Sequence, residues 1–247
     1  MSIKNLIKER EQKVIKDFFK MKDFEVPTLP NDIDNEVVYY WRSLDFDLHY
    51  LPKFSLDEDL DLPLWKDRPH KVFYKKIEVG AINQEAKILP GRWILIDGKN
   101  KPHKEVLWVN KNNFWLLEKV GLNLKNYFKK MTKQIHQNDY LINVLNKKGF
   151  GSRFCLSPND IIGLKPYIAD ILKIKNKIIR LPRFIEYNYL GNTFYKQWAT
   201  TDTWEWFEDK FDGDKNLTGG YKSVGCLGWD QPDFWSTILS FRPAIEL

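Results

Sequence analysis

Along the first twenty-one residues, Ile3, Leu6, Ile7, Val14, Ile15, Phe18 and Met21 recur at the spacing of one helix face, with lysines and glutamates between them. Ser2 stands where a cap belongs, and the helix is expected to end before Pro27. From residue 27 to 69 the period dissolves. Pro27, Pro30, Pro52, Pro63 and Pro69 punctuate acidic residues and the aromatics Tyr39, Tyr40, Trp41, Phe46, Tyr50 and Trp65, which reads as an ordered, irregular wrapping segment. From Lys71 the pattern shortens to that of strands at 72–74 and 77–79. Gly91-Arg92 predicts a turn, and 93–96 a buried strand ended by Asp97-Gly98.

Further along, 106–109 and 114–117 predict a hairpin, and 134–147 a helix stopped by Gly149. Ser157-Pro158-Asn159-Asp160 opens another helix, which Pro166 must bend or divide. Pro182 suits the start of a helix with Phe184, Ile185, Tyr189 and Leu190 as its buried face and Gly191-Asn192 as its end. Beyond it the strands look short and often interrupted, so a mostly irregular C-terminal part is expected.

A chain of 247 residues with 43% hydrophobic and 15% aromatic side chains can bury a substantial core, which excludes a disordered protein. No run is long and apolar enough for a membrane span, and the charged N-terminal helix is not a secretory leader, so the cytoplasm is the default location. The net charge of +6 raises nucleic acid as a partner. Its distribution opposes this, because residues 198–247 hold four basic and nine acidic side chains.

Four anchors stand out in the last third: Arg180-Leu181-Pro182, Thr203-Trp204-Glu205-Trp206-Phe207-Glu208-Asp209, Gly219-Gly220-Tyr221, and Ser240-Phe241-Arg242-Pro243. Trp204 and Trp206, two apart, would point to one side of a strand, while Glu205 on the other side could hold Arg242. Gly219 and Gly220 permit a bulge or a close backbone passage. These five residues, Trp204, Trp206, Gly219, Gly220 and Arg242, are read as scaffold.

Together the anchors resemble the C-type lectin fold shared by formylglycine-generating enzymes and the variable proteins of diversity-generating retroelements, from about Pro90 to Leu247. Arg180-Leu181-Pro182 with Glu186-Tyr187 is similar to the family's helix start, Trp204-Glu205-Trp206 to its "W-E-W" segment, and Ser240-Phe241-Arg242 to its closing "G-F-R", with serine in place of glycine. Pro90–Gly98 resembles the early strand and turn of the variable-protein branch. The resemblance implies an α+β fold of short twisted antiparallel strands with flanking helices and much irregular structure. Residues 71–247 would form this domain, with 1–70 as a helical extension packed on it and about 189–247 as a variable, ligand-binding region.

In that branch a reverse transcriptase encoded by the element rewrites the C-terminal segment, so that one scaffold displays many surfaces. Here Tyr221, Ser223, Leu227, Trp229, Asp230, Gln231, Asp233, Phe234, Trp235 and Thr237 mix aromatic anchors with short hydrogen-bonding groups, as antibody loops do. They are the candidate ligand-binding residues, and a protein is the expected partner. The competing reading of Trp229, Phe234 and Trp235 is that they fill the core.

Catalysis is not expected. A copper-holding oxidase of the same resemblance would need two close cysteines, whereas Cys155 and Cys226 lie far apart. His49, His70, His103 and His136 are scattered and read as structural or solvent-facing. Residues 212–216 have the composition of a calcium loop without its ligand spacing and predict a turn. Gly149-Phe150-Gly151 lacks a phosphate loop's pattern, so no metal and no cofactor is assigned. The alternatives are a formylglycine-generating-enzyme-like oxidase, a fixed, non-varying module of the same fold, and a basic nucleic-acid module built on Lys125, Lys129, Lys130, Lys133, Lys173, Lys175, Lys177 and Arg180.

Overall fold

The structure is a computed structural model that describes residues 1–100, 145, 153–154, 156–236 and 238–247. The expected hairpin at 106–117, most of the expected helix at 134–147, and Cys155, His103, His136 and Thr237 lie outside the described residues.

Helix α1 spans Ile3–Phe19, with the Ser2 hydroxyl accepting from the Asn5 amide and Lys20 closing the helix in a left-handed conformation. It buries Ile3, Ile7, Ile15, Phe18 and Phe19, and leaves Leu6 exposed. The segment expected to be irregular contains two regular elements, α2 (Asn35–Ser43) and β1 (Phe46–Ser55). Strand β1 hides from a period-two reading because both of its faces are covered from Leu48 to Pro52. It also belongs to the same sheet as β2, so the first seventy residues are built into the fold and do not merely lie on it.

Residues 72–79, expected as strands, instead form α3 (Lys71–Glu78), which the His70 ring caps by accepting from the Val72 amide. Its buried residues Phe73, Tyr74 and Ile77 have helical spacing, and this tertiary burial overrides the strand preference of the local sequence. Strand β2 (Ile88–Asp97) runs straight through the expected turn at Gly91. There Gly91 takes a φ of +74°, and a Cβ would crowd the Lys53 side chain.

Helices α4 (Pro158–Ile162) and α5 (Lys165–Leu172) flank a break at 163–164, with Ser157 and Asp160 completing a capping box and a proline opening each helix. Strand β3 (Ile178–Arg180) leads to α6 (Phe184–Thr193), which runs two residues beyond the expected stop and is buried from Phe184 to Gly191. The chain ends in β4 (Trp204–Phe211), β5 (Lys215–Gly219), β6 (Leu227–Asp230), β7 (Leu239–Ser240) and β8 (Ala244–Glu246). The C-terminal part is therefore more regular than its sequence suggests.

The described chain is mixed α+β with two four-stranded sheets. One has the order β1-β2-β8-β3, entirely antiparallel, and it closes the chain on itself by setting the last residues between β2 and β3. The other has the order β6-β5-β4-β7, with β7 parallel to β4. Helix α6 lies against both, Phe184 meeting Phe73 of α3 and Phe207 of β4 ring to ring.

Candidate functional site

The anchors sit in a charged, buried frame. Arg242 is fully buried and clamps Glu205 with two bonds, Nη2 to Oε1 at 2.7 Å and Nε to Oε2 at 3.0 Å. Its Nη1 donates to the carbonyls of Asp97 and Lys99, and the guanidinium lies 3.9 Å from the Trp198 ring centroid. Trp198 in turn stacks on Tyr187 and Tyr195. Four bonds from one planar fork thus tie the link between β7 and β8, the end of β2 and the start of β4 together in one place.

Arg180 is likewise buried. It binds both oxygens of Glu186 at 2.7 Å and reaches Glu246 at 2.8 Å, so it belongs to the frame and not to an exposed basic patch. Glu186 also accepts from the Arg183 amide, and Asp209 accepts from the Phe184 amide at 2.6 Å, which holds the first turn of α6. Burial raises the Asp209 carboxyl above its ordinary value against the opposing pull of Arg183.

The two tryptophans of the β4 anchor have different roles. Trp206 is wholly buried and donates its indole N–H to the Leu156 carbonyl at 2.8 Å. Trp204 is half-buried and stacks on Tyr221, with ring centroids 5.5 Å apart and 19° between planes. Gly219 passes so close to Cys226 that a Cβ would overlap its carbonyl oxygen, and Gly220 has a φ of +84°. The turn expected over 212–216 is confined to 212–214, with Gly213 at a φ of +85° and β5 beginning at Lys215.

The candidate ligand-binding residues divide into two sets. Ser223 faces inward: its hydroxyl donates to Asp67 Oδ1 at 2.6 Å, while Asp67 Oδ2 accepts from the Val224 amide at 2.7 Å. Asn188 of α6 adds bonds to the Asp67 and Val224 carbonyls, and the His70 amide donates to the Gly225 carbonyl. Leu227 packs on the core, and Trp229 stacks on Phe211 at 4.2 Å with the Lys76 ammonium beside it. Tyr221, Asp230, Gln231, Asp233, Phe234 and Trp235 remain wholly or partly exposed, with Phe234 at 42%.

Between these residues and β4 lies a groove of about 220 Å³, lined by Trp204, Thr218, Gly228, Trp229, Asp230, Phe234, Ser236, Ile238 and Leu239. Sequence reasoning placed Trp204 in the scaffold and missed that it also walls this groove. The residue spacing alone carries no signal for it, since β5 must first bring β6 alongside β4.

A different constellation was also missed. His49 is fully buried, its Nδ1 3.2 Å from Glu11 Oε1 and its Nε2 2.7 Å from Tyr195 Oη. Glu11 Oε2 also accepts from the Tyr50 amide, and burial pushes the Tyr195 hydroxyl well above its ordinary value. An acid, an imidazole and a hydroxyl in line have the form of a nucleophile triad. The His49 ring and the carboxylate have no exposed surface, however, and the set joins α1 to β1 and to the turn after α6. It is read as a structural network. A larger hollow of about 790 Å³ beside α3 mixes Asp57, Glu58, Asp59 and Glu78 with Arg68, Lys71 and Lys87, and holds none of the candidate residues.

Among the described residues no three His, Cys, Asp or Glu side chains are grouped to hold a metal, and no helix is long and apolar enough to cross a membrane. Compared with protein-family models, with curated proteins and with solved structures, the chain gives no match.

Proposed function

We propose that the protein is a non-catalytic binding protein, built on a C-type lectin type of scaffold, that displays its C-terminal segment to a protein ligand in the manner of a retroelement variable protein. The observation that supports this reading is the contrast in burial along the last fifty residues. The anchors Trp206, Gly219, Gly220 and Arg242 are buried, while none of 230–236 between them is buried and Gln231, Asp233 and Phe234 are exposed beside a groove. A binder that changes partners needs this division, because substitutions at exposed positions leave the core and its ion pairs intact.

The reading assigns no metal and no cofactor, and nucleic acid is not the expected partner, because the displaying segment is the acidic part of the chain. Its test is to sequence the region coding for residues 189–247 from many cells of one population, together with any near-copy in the same locus. Differences clustered at 221–237 and tracing to adenines of the near-copy support diversified display. An invariant segment without a near-copy overturns it and leaves a fixed module with one dedicated ligand.

A further inference from the structure

We propose that the groove beside Trp204 receives one basic side chain of the protein partner, a lysine or arginine whose stem lies against Trp204 and Phe234 and whose cation meets the Asp230 carboxylate. This rests on the display reading above and adds the chemistry that the surface selects.

The placement follows from the sheet. β6 pairs with β5 so that Gly228 lies opposite Thr218 and Asp230 opposite Asn216. A Cβ on Gly228 would press on Thr218 Oγ1 and on the Trp204 ring, so that face of β6 is the groove face. Strand alternation puts Asp230, two residues on, on the same face, while the Trp229 ring at the groove's edge stacks on Phe211. The missing side chain at Gly228 is what lets the Trp204 indole lie close over the strand.

Among the described residues nothing donates a hydrogen bond to the Asp230 carboxylate and no cation pairs with it. Burial is the one influence on its acidity, and it raises the pKa above the ordinary aspartate value. Lys210, in the same cross-strand row, gives its ammonium to Asn216 Oδ1 at 2.7 Å and to the Asp214 carbonyl at 3.4 Å. A partly desolvated carboxylate between aromatic side chains favours a cation with an apolar stem. It disfavours an anion, and a neutral apolar group would leave the carboxylate unpaired. The local charge agrees, since residues 198–247 are net acidic in a chain that is net basic.

The experiment is an NMR titration of the full-length, ¹⁵N-labelled chain with N-acetyl-lysine methylamide, N-acetyl-arginine methylamide and N-acetyl-norleucine methylamide. Saturable shifts of the Trp204 indole N–H and of the 228–230 amides are expected with the lysine or arginine compound, at least fivefold tighter than with norleucine. Asp230→Asn should abolish that preference while peaks from the Arg242 frame stay in place. Equal responses to lysine and norleucine, a lysine preference that survives Asp230→Asn, or no response at these resonances would overturn the proposal. Any of these results alongside population sequences that vary at 221–237 would remove the cation and leave the display reading standing. An invariant segment with a lysine-selective groove would do the opposite.

Discussion

The Arg242 hub and the Asp230 groove both set an ionic side chain beside tryptophan, and they differ in what completes them. At the hub the partners come from the chain: Glu205 takes two bonds, two carbonyls take two more, the Asp97 carboxylate lies 3.8 Å from Nη1, and Trp198 covers the face. At the groove the carboxylate shares the lining with Trp204, and no cation among the described residues pairs with it. The hub carries the closed circuit that a buried charge requires. The groove is half of such a circuit, left at the surface where another molecule can finish it. The difference separates framework from display more sharply than burial alone, since Trp229 is partly exposed and still belongs to the frame through Phe211.

The comparison breaks most visibly if the hub can lose a partner cheaply. Glu205→Ala leaves a wholly buried guanidinium without its bidentate acceptor, and a loss of about 3–5 kcal/mol in urea unfolding is expected. A loss under about 1 kcal/mol would mean that water, or the Asp97 carboxylate 3.8 Å from Nη1, compensates Arg242, and Glu205 would not be what closes the hub.

A smaller effect sharpens the boundary inside the candidate run itself. Trp229→Ala removes a ring stacked at 4.2 Å and should lower stability by about 1–3 kcal/mol, whereas Phe234→Ala, at 42% exposure, should change it by about 0.5 kcal/mol or less. Thermal denaturation of the two variants side by side decides the point. Equal losses would place Phe234 in the frame and leave Trp204 and Asp230 without the wall that the groove needs.

What could be read in the sequence was local or rested on the anchor residues of the last third. The Ser2 cap, the helix opened at Ser157 and the division at Pro166 depend on neighbours within four residues, and all three are present. Glu205 with Arg242 was legible because the anchor pattern suggested it. The errors lie where distant contacts outvote local preference: α3 carries strand-forming residues but buries them at helical spacing, and β1 is covered on both faces, so it never alternates. Arg180 looked like one of a basic run until Glu186 and Glu246 enclosed it. His49 meets Glu11 across 38 residues and Ser223 meets Asp67 across 156, separations that no local motif reports. The groove is of this second kind, assembled from β4, β5, β6 and residues Phe234, Ser236 and Ile238.

The smallest expected effect tests whether the groove is open at all. A carboxyl whose folded pKa is raised holds its proton longer in the native chain than in the unfolded one. Its contribution is therefore intact at low pH, and stability falls as pH climbs from the ordinary aspartate value of 3.8 through the raised one. Asp230→Asn removes that loss, so the melting temperature of the variant should match wild type in acid. It should then rise above wild type across this window and stay higher towards neutral pH. If wild type gains on the variant over the same window, the carboxylate is being favoured by a cation within the chain, with Lys210 the nearest in register. The groove would then be closed like the hub. A variant that is more stable without Asp230 shows instead a charge kept at a cost to folding, as expected of a group whose partner arrives from outside.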